Sequence, residues 1–439
     1  MKPQGGEDGF PEADPRAKLS IRLNSLQHGR SRGVNRQERC FSAAGEWFLS
    51  KDSSTVTALE RWSTIGQEWR SKFGSEARVT WWRGLSQKVR LGLDAFRGRR
   101  RGDSEDPIAH FLEAAREAER ERNPDKMRRC SYKLIRYEQY ERAWELRTRA
   151  AAIDKLSPLP DWAGDDLAGR TILVRGCMPK HRIGEELRLS RFIADVANRA
   201  RRCIVLTEKR LVPLLHRSFP RTDVRPKGSD DAAAMSEADI NAYFETIALH
   251  CAKNAEEMRR SFVPLHADPS RVGAIRQRYK RNAAGPLIGI SWTSRNEGKV
   301  LPDLPSWAPL LTWPAATFVS LQYGDIAQDL ALLREFAPGR TIHDPEIDQL
   351  ADLDGFAAQI ASLDAAVSVS NTTIDMAGML GTPTLHIRND KASEIWPPSG
   401  PSPWYPDMIF LYRQHRPWPE VFARARQRLE QMLSTNGQA

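Results

Sequence analysis

The sequence predicts an α/β protein: two successive Rossmann-like domains preceded by an α-helical N-terminal extension. Three observations lead there. Short β-branched runs alternate with helical segments from residue 170 onward, which marks a parallel sheet. Before that point, apolar residues recur at spacings of three and four, which marks amphipathic helices. The basic excess sits at one end: residues 1–105 hold 20 Lys/Arg against 13 Asp/Glu, in a chain of 439 residues with net charge +10.

Length allows two or three domains, each with its own core. No run of 18 apolar residues exists to span a membrane. The stretch "MKPQGGEDGFPEADP" has no apolar segment and does not read as a secretory signal. Cys40, Cys130, Cys177, Cys203 and Cys251 are odd in number and widely spaced. They match neither a disulfide framework nor a zinc pattern, so a reducing cytoplasm is expected.

Residues 1–105 form the basic extension. Residues 1–50 contain few large apolar residues. Val56, Leu59, Trp62, Ile65, Trp69 and Phe73 then fall on one helical stripe, and Trp82, Leu85, Val89, Leu93 and Phe96 on a second. "RGRRRGDSEDP" (97–107) reads as a linker. Residues 106–160 predict a helical hairpin broken at Asn123-Pro124-Asp125, which resembles one degenerate tetratricopeptide-type unit.

Residues 161–270 predict the first Rossmann-like domain. "RTILVRG" and "RCIVLT" are its strands, and "RIGEELRLSRFIADVANRA" is a helix with Leu187, Phe192, Ile193 and Val196 on its apolar side. Residues 271–439 predict the second. Its strands are Leu287–Ser291, Thr317–Leu321, Ala366–Ser370 and Thr384–Ile387, with a weaker one near Thr341. Its helices are Leu304–Leu311, Ile326–Phe336, Asp354–Leu363 and Thr372–Leu380, with a closing helix that has Pro419 in its first turn. Right-handed crossovers make this a doubly wound sheet, with a cleft between the two domains.

The least generic stretch is "SVSNTTIDMAGMLGTPT" (368–384). Ser370-Asn371-Thr372-Thr373 lies where a buried strand ends and a helix begins. Ligands of open parallel sheets sit beyond the carboxyl ends of the strands, and a helix N-terminus favours anions. Threonine hydroxyls there can donate to phosphate. Capping by Asn371 or Thr372 alone also accounts for such a junction. No GxGxxG follows a strand, Gly298-Lys299 lacks the rest of a P-loop, and there is no HExxH or metal-spaced Cys/His set.

Asn371-Thr372-Thr373, then seven residues, then Gly381-Thr382-Pro383 resembles the donor-binding turn of the O-linked N-acetylglucosamine transferases. Those have His-Thr-Thr, the same gap and Gly-Thr-Pro. "GISWTSRNEGKVLPDLPSWAPLL", "FVSLQYGD" and "SPWYPDMIFLYRQ" resemble the glycosyltransferase region attached to many bacterial tetratricopeptide-repeat proteins. That region is similar to the heptosyltransferases, which have the two-domain GT-B architecture. The likeness covers roughly residues 160–433.

The resemblance implies a glycosyltransferase that moves a sugar from a nucleotide diphosphate sugar to a protein or glycan hydroxyl, with inversion and without a catalytic metal or other cofactor. UDP-N-acetylglucosamine is the donor implied. Thr372 and Thr373 would meet the diphosphate, with Asn371 where the family has His and Ser370 beside them in the donor site. Lys299 matches a phosphate-binding Lys, and Arg295 stands beside it. Gln322 and Tyr323 would face the nucleoside. A Gly-Asp pair supplies the base in heptosyltransferase-like enzymes, and Gly184-Glu185 stands there, with His181 and Glu186 as alternatives. The usual loop is replaced by "CMPKHRIGEE". That departure keeps open a second reading, a fold retained as a binding or scaffold module without catalysis. Residues 54–102, with Trp81, Trp82 and "RGRRRG", offer a contact to an anionic membrane surface, peripheral to the inner membrane. No motif supports sequence-specific nucleic-acid binding.

Overall fold

Every strand pairing among the described residues is parallel, and ten strands fall into two sheets. The computed structural model describes residues 106–154, 157–176, 183–281, 283, 285–296, 299–389 and 395–436. The basic extension, with the helices expected between residues 54 and 96, lies outside them, as does His181.

Three helices come first. α1 (Pro107–Arg120) is capped by Asp106, which accepts from the Ile108 N–H at 2.8 Å. α2 (Pro124–Arg136) is capped by Asn123, which accepts from the Lys126 N–H at 3.0 Å. Pro at the first helical position costs nothing there, because that N–H has no helical partner. A second break then separates α2 from α3 (Tyr140–Asp154). It turns on Glu138, at φ 59°, with no Gly or Pro to announce it. The block is therefore three helices and not the expected hairpin.

The first sheet follows: β1 (Thr171–Arg175), α4 (Ile183–Leu189), α5 (Ile193–Arg199), β2 (Arg202–Thr207), α6 (Val212–Ser218), β3 (Thr222–Pro226), α7 (Asp231–Glu237) and β4 (Ile240–Tyr243). Its order is β3-β2-β1-β4. The helix expected over residues 182–200 is divided by a 3₁₀ turn at Ser190–Phe192. Helices α8 (Phe244–Cys251), α9 (Ala255–Arg260) and α10 (Pro269–Lys280) lead to the second sheet.

That sheet comprises β5 (Leu287–Ser291), α11 (Ala308–Leu311), β6 (Thr317–Ser320), α12 (Ala327–Phe336), β7 (Thr341–Ile342), α13 (Leu353–Ala361), β8 (Ala365–Val369), α14 (Thr372–Met379), β9 (Thr384–Arg388) and β10 (Met408–Tyr412), closed by α15 (Trp418–Asn436). The order β10-β9-β8-β5-β6-β7 is a doubly wound sheet whose direction of winding reverses between β5 and β8. β5, β8 and β9 are buried along their whole length, as continuous apolar strands covered on both faces must be.

One face of this sheet, with Ile288, Phe318, Val367 and Leu385, packs under Trp307 and Phe422, whose rings stack at 4.3 Å. The other face joins a larger core. Leu287, Ala366, Phe356 and Met376 share it with Leu187 and Ile247 of the first half and with Leu134 and Trp144 of the helical block. Trp144 Nε1 donates to the Ala252 carbonyl at 2.9 Å, and its ring meets Trp404 edge-on at 6.3 Å. Arg191, fully buried, donates to the carbonyls of Trp404 at 2.6 Å and Met258 at 2.5 Å. Ser104–Ala439 is thus one compact unit, and packing continues across the boundary expected near residue 270. No helix among the described residues is long and apolar enough to cross a membrane.

Candidate functional site

The ends of β5 and β8 lie side by side, Ser291 opposite Ser368, at the point where the winding reverses. Asn371 fastens them. Its Oδ1 accepts from the Thr373 N–H at 3.0 Å, capping α14, and from Ser368 Oγ at 3.1 Å. Its Nδ2 donates to Ser291 Oγ at 2.7 Å and to the Thr293 carbonyl at 2.9 Å. Both amide hydrogens are therefore used within the fold. Gln322 does similar work from β6: its Oε1 accepts from Ser291 Oγ at 3.1 Å and from the Trp292 and Thr293 N–H groups at 2.9 Å. Gln322 is buried and shapes the loop after β5; it does not line the cleft.

The remaining residues of the turn behave differently. Thr372 is half-buried and lines the cleft. Thr373 also lines it, is 1% exposed, and its hydroxyl has no hydrogen-bond partner. A buried unpaired hydroxyl costs about 1–3 kcal/mol, so such groups call for an explanation. Ser370 Oγ lies 2.6 Å from His386 Nε2 on β9, and its carbonyl accepts from Lys299 Nζ at 2.5 Å. Lys299 Nζ also reaches Ser294 Oγ at 3.4 Å. The cation is thereby parked on the helix N-terminus. Arg295 is exposed, with its N–H donating to Tyr323 Oη at 3.3 Å and its guanidinium 5.6 Å from that ring.

These groups form one wall of a cleft of about 770 Å³. Tyr132 of α2 and Gly184, Glu185 and Arg188 of α4 form the opposite wall. Glu185 accepts from Tyr132 Oη at 2.9 Å and from Arg147 Nη1 at 2.6 Å, with Glu245 3.7 Å from the same guanidinium. Burial pushes the Glu185 carboxyl up, but Arg147 and Arg188 outweigh it and hold the group below the usual carboxylate range. Glu186 points elsewhere. It accepts from Thr207 Oγ1 at 2.8 Å, the Glu208 N–H at 3.1 Å and Lys227 Nζ at 3.1 Å, and it does not line the cleft.

Several cleft residues carried no obvious signal in the sequence. Arg188 and Asp375 pair across it, Trp396 lies against Arg188 at 5.6 Å, and Arg388 ends β9. Helical periodicity hints at two of them. Asp375 is three residues beyond Thr372, and Arg188 three beyond Glu185, so each shares a face with a predicted site residue. Gly184 has its own reason: a Cβ there would come within 2.4 Å of Asp375 Oδ2, so α4 approaches α14 only with glycine at that position.

No protein-family model matches the chain. Over 287 residues it is 29% identical to Protein FlbA of Caulobacter vibrioides, covering 60% of this chain and 47% of that protein. The alignment thus spans about half the length of that curated relative. Among solved structures, a glycosyl transferase family 9 protein from Veillonella parvula aligns with 62% of this chain and 99% of its own, at 10% identity and TM-score 0.47. The E. coli ADP-heptose lipopolysaccharide heptosyltransferase II aligns with 61% and 99%, at 11% identity and TM-score 0.45. The E. coli heptosyltransferase WaaC, solved with ADP, aligns with 60% and 99%, at 13% identity and TM-score 0.40. Likeness at these identities says nothing about chemistry. Two of these three are heptosyltransferases by name.

Proposed function

We propose that the cleft binds a nucleotide diphosphate sugar and transfers its sugar to a hydroxyl of a protein or glycan. One observation carries this reading: the buried, unpartnered Thr373 hydroxyl at the N-terminus of α14, beside Lys299, at the reversal point of a doubly wound sheet. Diphosphate oxygens would take the Thr372 and Thr373 hydroxyls and draw Lys299 Nζ from the Ser370 carbonyl. The departing nucleotide diphosphate gains negative charge in the transition state, and a preorganised cation and helix end stabilise it there. The nucleoside would lie toward β6, with Tyr323 and Arg295. UDP-N-acetylglucosamine is the donor implied by the resemblance to the O-linked transferases, and ADP-heptose stands in the name of one heptosyltransferase aligned above. Transfer with inversion and without a catalytic metal is the form both share.

The test is thermal stabilisation by UDP, GDP, ADP and CMP, each alone. A nucleotide at about 100 times its dissociation constant adds roughly 2.7 kcal/mol. One of them should raise the Tm, and Thr372→Ala with Thr373→Ala should abolish the rise. No rise with any of the four would count against the reading.

A second reading rests on Glu185. A carboxylate held by Arg147 and Tyr132 and kept ionised is a weak proton acceptor, which favours a binding module without turnover. Nucleotide binding without release of sugar or nucleotide from any donor, at any pH between 6 and 9, would select it.

A further inference from the structure

Arg388 ends β9 and lines the cleft, yet it is 3% exposed. Among the described residues no carboxylate lies within ion-pair reach of its guanidinium, and Nη1 has no hydrogen-bond acceptor. Its neighbours are the rings of Phe410 and Tyr412, at 5.5 and 5.6 Å. Burial, and Arg136 nearby, lower its pKa to about 10, with Tyr412 opposing. A cation buried in this way is costly unless an anion accompanies it.

Three other buried arginines of the unit have their guanidinium taken up by protein partners. Arg147 faces Glu185, Arg188 faces Asp375, and Arg191 is spent on the carbonyls of Trp404, Met258 and Ser261. Each has a structural use visible in its partners. Arg388 lacks such a use and opens onto the cleft. Its position also matters. β9 flanks β8 on the side away from β5 and β6, whereas Tyr323 and Arg295 lie on the β6 side. A donor seated over β8 with its nucleoside toward β6 therefore directs its sugar, and the acceptor beyond it, toward Arg388.

We infer that Arg388 is a second anion seat in the cleft, separate from Lys299 and Thr373, and that it takes a carboxylate or phosphate carried by the transferred sugar or by the acceptor. A planar guanidinium matches either group with two parallel hydrogen bonds. The seat stands on the geometry of Arg388 alone; which molecule carries the anion rests on the glycosyl-transfer reading above.

The experiment uses the full chain with Lys299→Met, Thr372→Ala and Thr373→Ala, which removes the first seat, with and without Arg388→Met. Tm is followed against sodium phosphate and sodium acetate, each compared with sodium chloride at equal ionic strength. The expected result is a concentration-dependent rise with phosphate or acetate that disappears with Arg388→Met. The single variant Arg388→Met should match or exceed the wild-type Tm in chloride, because it removes a buried charge. An anion response that is the same with and without Arg388, or a clear loss of Tm in Arg388→Met alone, overturns the proposal. UDP-glucuronate and UDP-glucose then separate the sources. Tighter binding of the glucuronate by about tenfold, lost in Arg388→Met, places the anion on the sugar. Equal binding by the wild type, with the wild type's own anion response persisting under saturating UDP and lost in Arg388→Met, places it on the acceptor. If none of the four nucleotides binds but the anion response remains, the donor reading fails and this one stands.

Discussion

Arg188 Nε donates to Asp375 Oδ1 at 3.0 Å and Nη2 to Oδ2 at 3.2 Å, a two-pronged ion pair between a helix of the first sheet and the helix that begins at the Asn-Thr-Thr turn. Both side chains are buried, and Tyr405 Oη donates to the same carboxylate at 2.8 Å. Trp404 flanks the guanidinium at 5.3 Å. The two cleft walls are thereby held in register through α14 itself. Asp375→Ala strands a buried cation, and breaking such a pair costs about 3–5 kcal/mol. Urea unfolding should show that loss, with Asp375→Asn milder. A loss below 1 kcal/mol would show that the pair is not closed in solution.

Gly184 sets how closely those walls approach. Its Cβ in Gly184→Ala would meet Asp375 Oδ2 at 2.4 Å, and relieving the overlap moves either α4 or the Asp375 carboxylate. Overpacking of this kind costs about 1–3 kcal/mol. Stability should fall by that amount. Pairing Gly184→Ala with Asp375→Ala should cost less than the sum of the two, because the second removes the atom the first collides with.

Thr373 offers the reverse sign. Thr373→Val keeps the shape and removes the unpartnered buried hydroxyl, so the free protein should keep its Tm or gain. Nucleotide affinity should nonetheless fall by about tenfold, one charge-assisted hydrogen bond's worth. A variant that loses Tm, or that binds nucleotide as the wild type does, would leave Thr373 as part of the core only.

His386 should make the protein acid-sensitive. Burial, with Arg388 and Lys299 nearby, holds its pKa well below the ordinary value, so the folded ring stays neutral. Below a pH of about 6.5 the unfolded chain takes up a proton that the folded one refuses, and stability falls as pH falls. The slope is at most about 1.4 kcal/mol per pH unit. Relative to His386→Gln, the wild type should lose stability between pH 6.5 and 5, and parallel curves from urea unfolding at several pH values would refute this.

Glu185→Gln removes the charge facing Arg147 while leaving an acceptor for Tyr132. Glu245, at 3.7 Å, remains to share Arg147, so the loss should sit near the lower end of about 3–5 kcal/mol. Since Glu185's pKa is depressed, the stability its charge contributes is present above its unfolded value and lost as pH falls through the folded one. The deficit of the variant should therefore shrink in acid. If Glu185 also serves as the base, turnover falls by about 10²–10⁴-fold with nucleotide affinity unchanged.

The sequence by itself determined the parts whose causes are local. Strand and helix alternation, five of the six strands of the second sheet, the N-cap at Asn371 and the Pro124 break all arise from side chains acting on backbone within a few residues. It also put Lys299 in the loop after one strand and the Asn-Thr-Thr turn at the end of another; that those strands are neighbours is decided by the sheet. Tertiary structure decided what depends on partners distant in the chain. Asn371 meets Ser291 80 residues away, and Arg188 meets Asp375 187 residues away. Glu185 and Glu186 are adjacent, with equal propensity, yet one lines the cleft and the other turns to Thr207 and Lys227. The third helix is not legible in the sequence, because a left-handed Glu138 makes a turn that no Gly or Pro marks. Arg388 in "LHIRND" looks like the polar end of any strand; only burial without a counter-charge sets it apart. Burial and pairing are properties of the assembled sheets, so no local pattern encodes them.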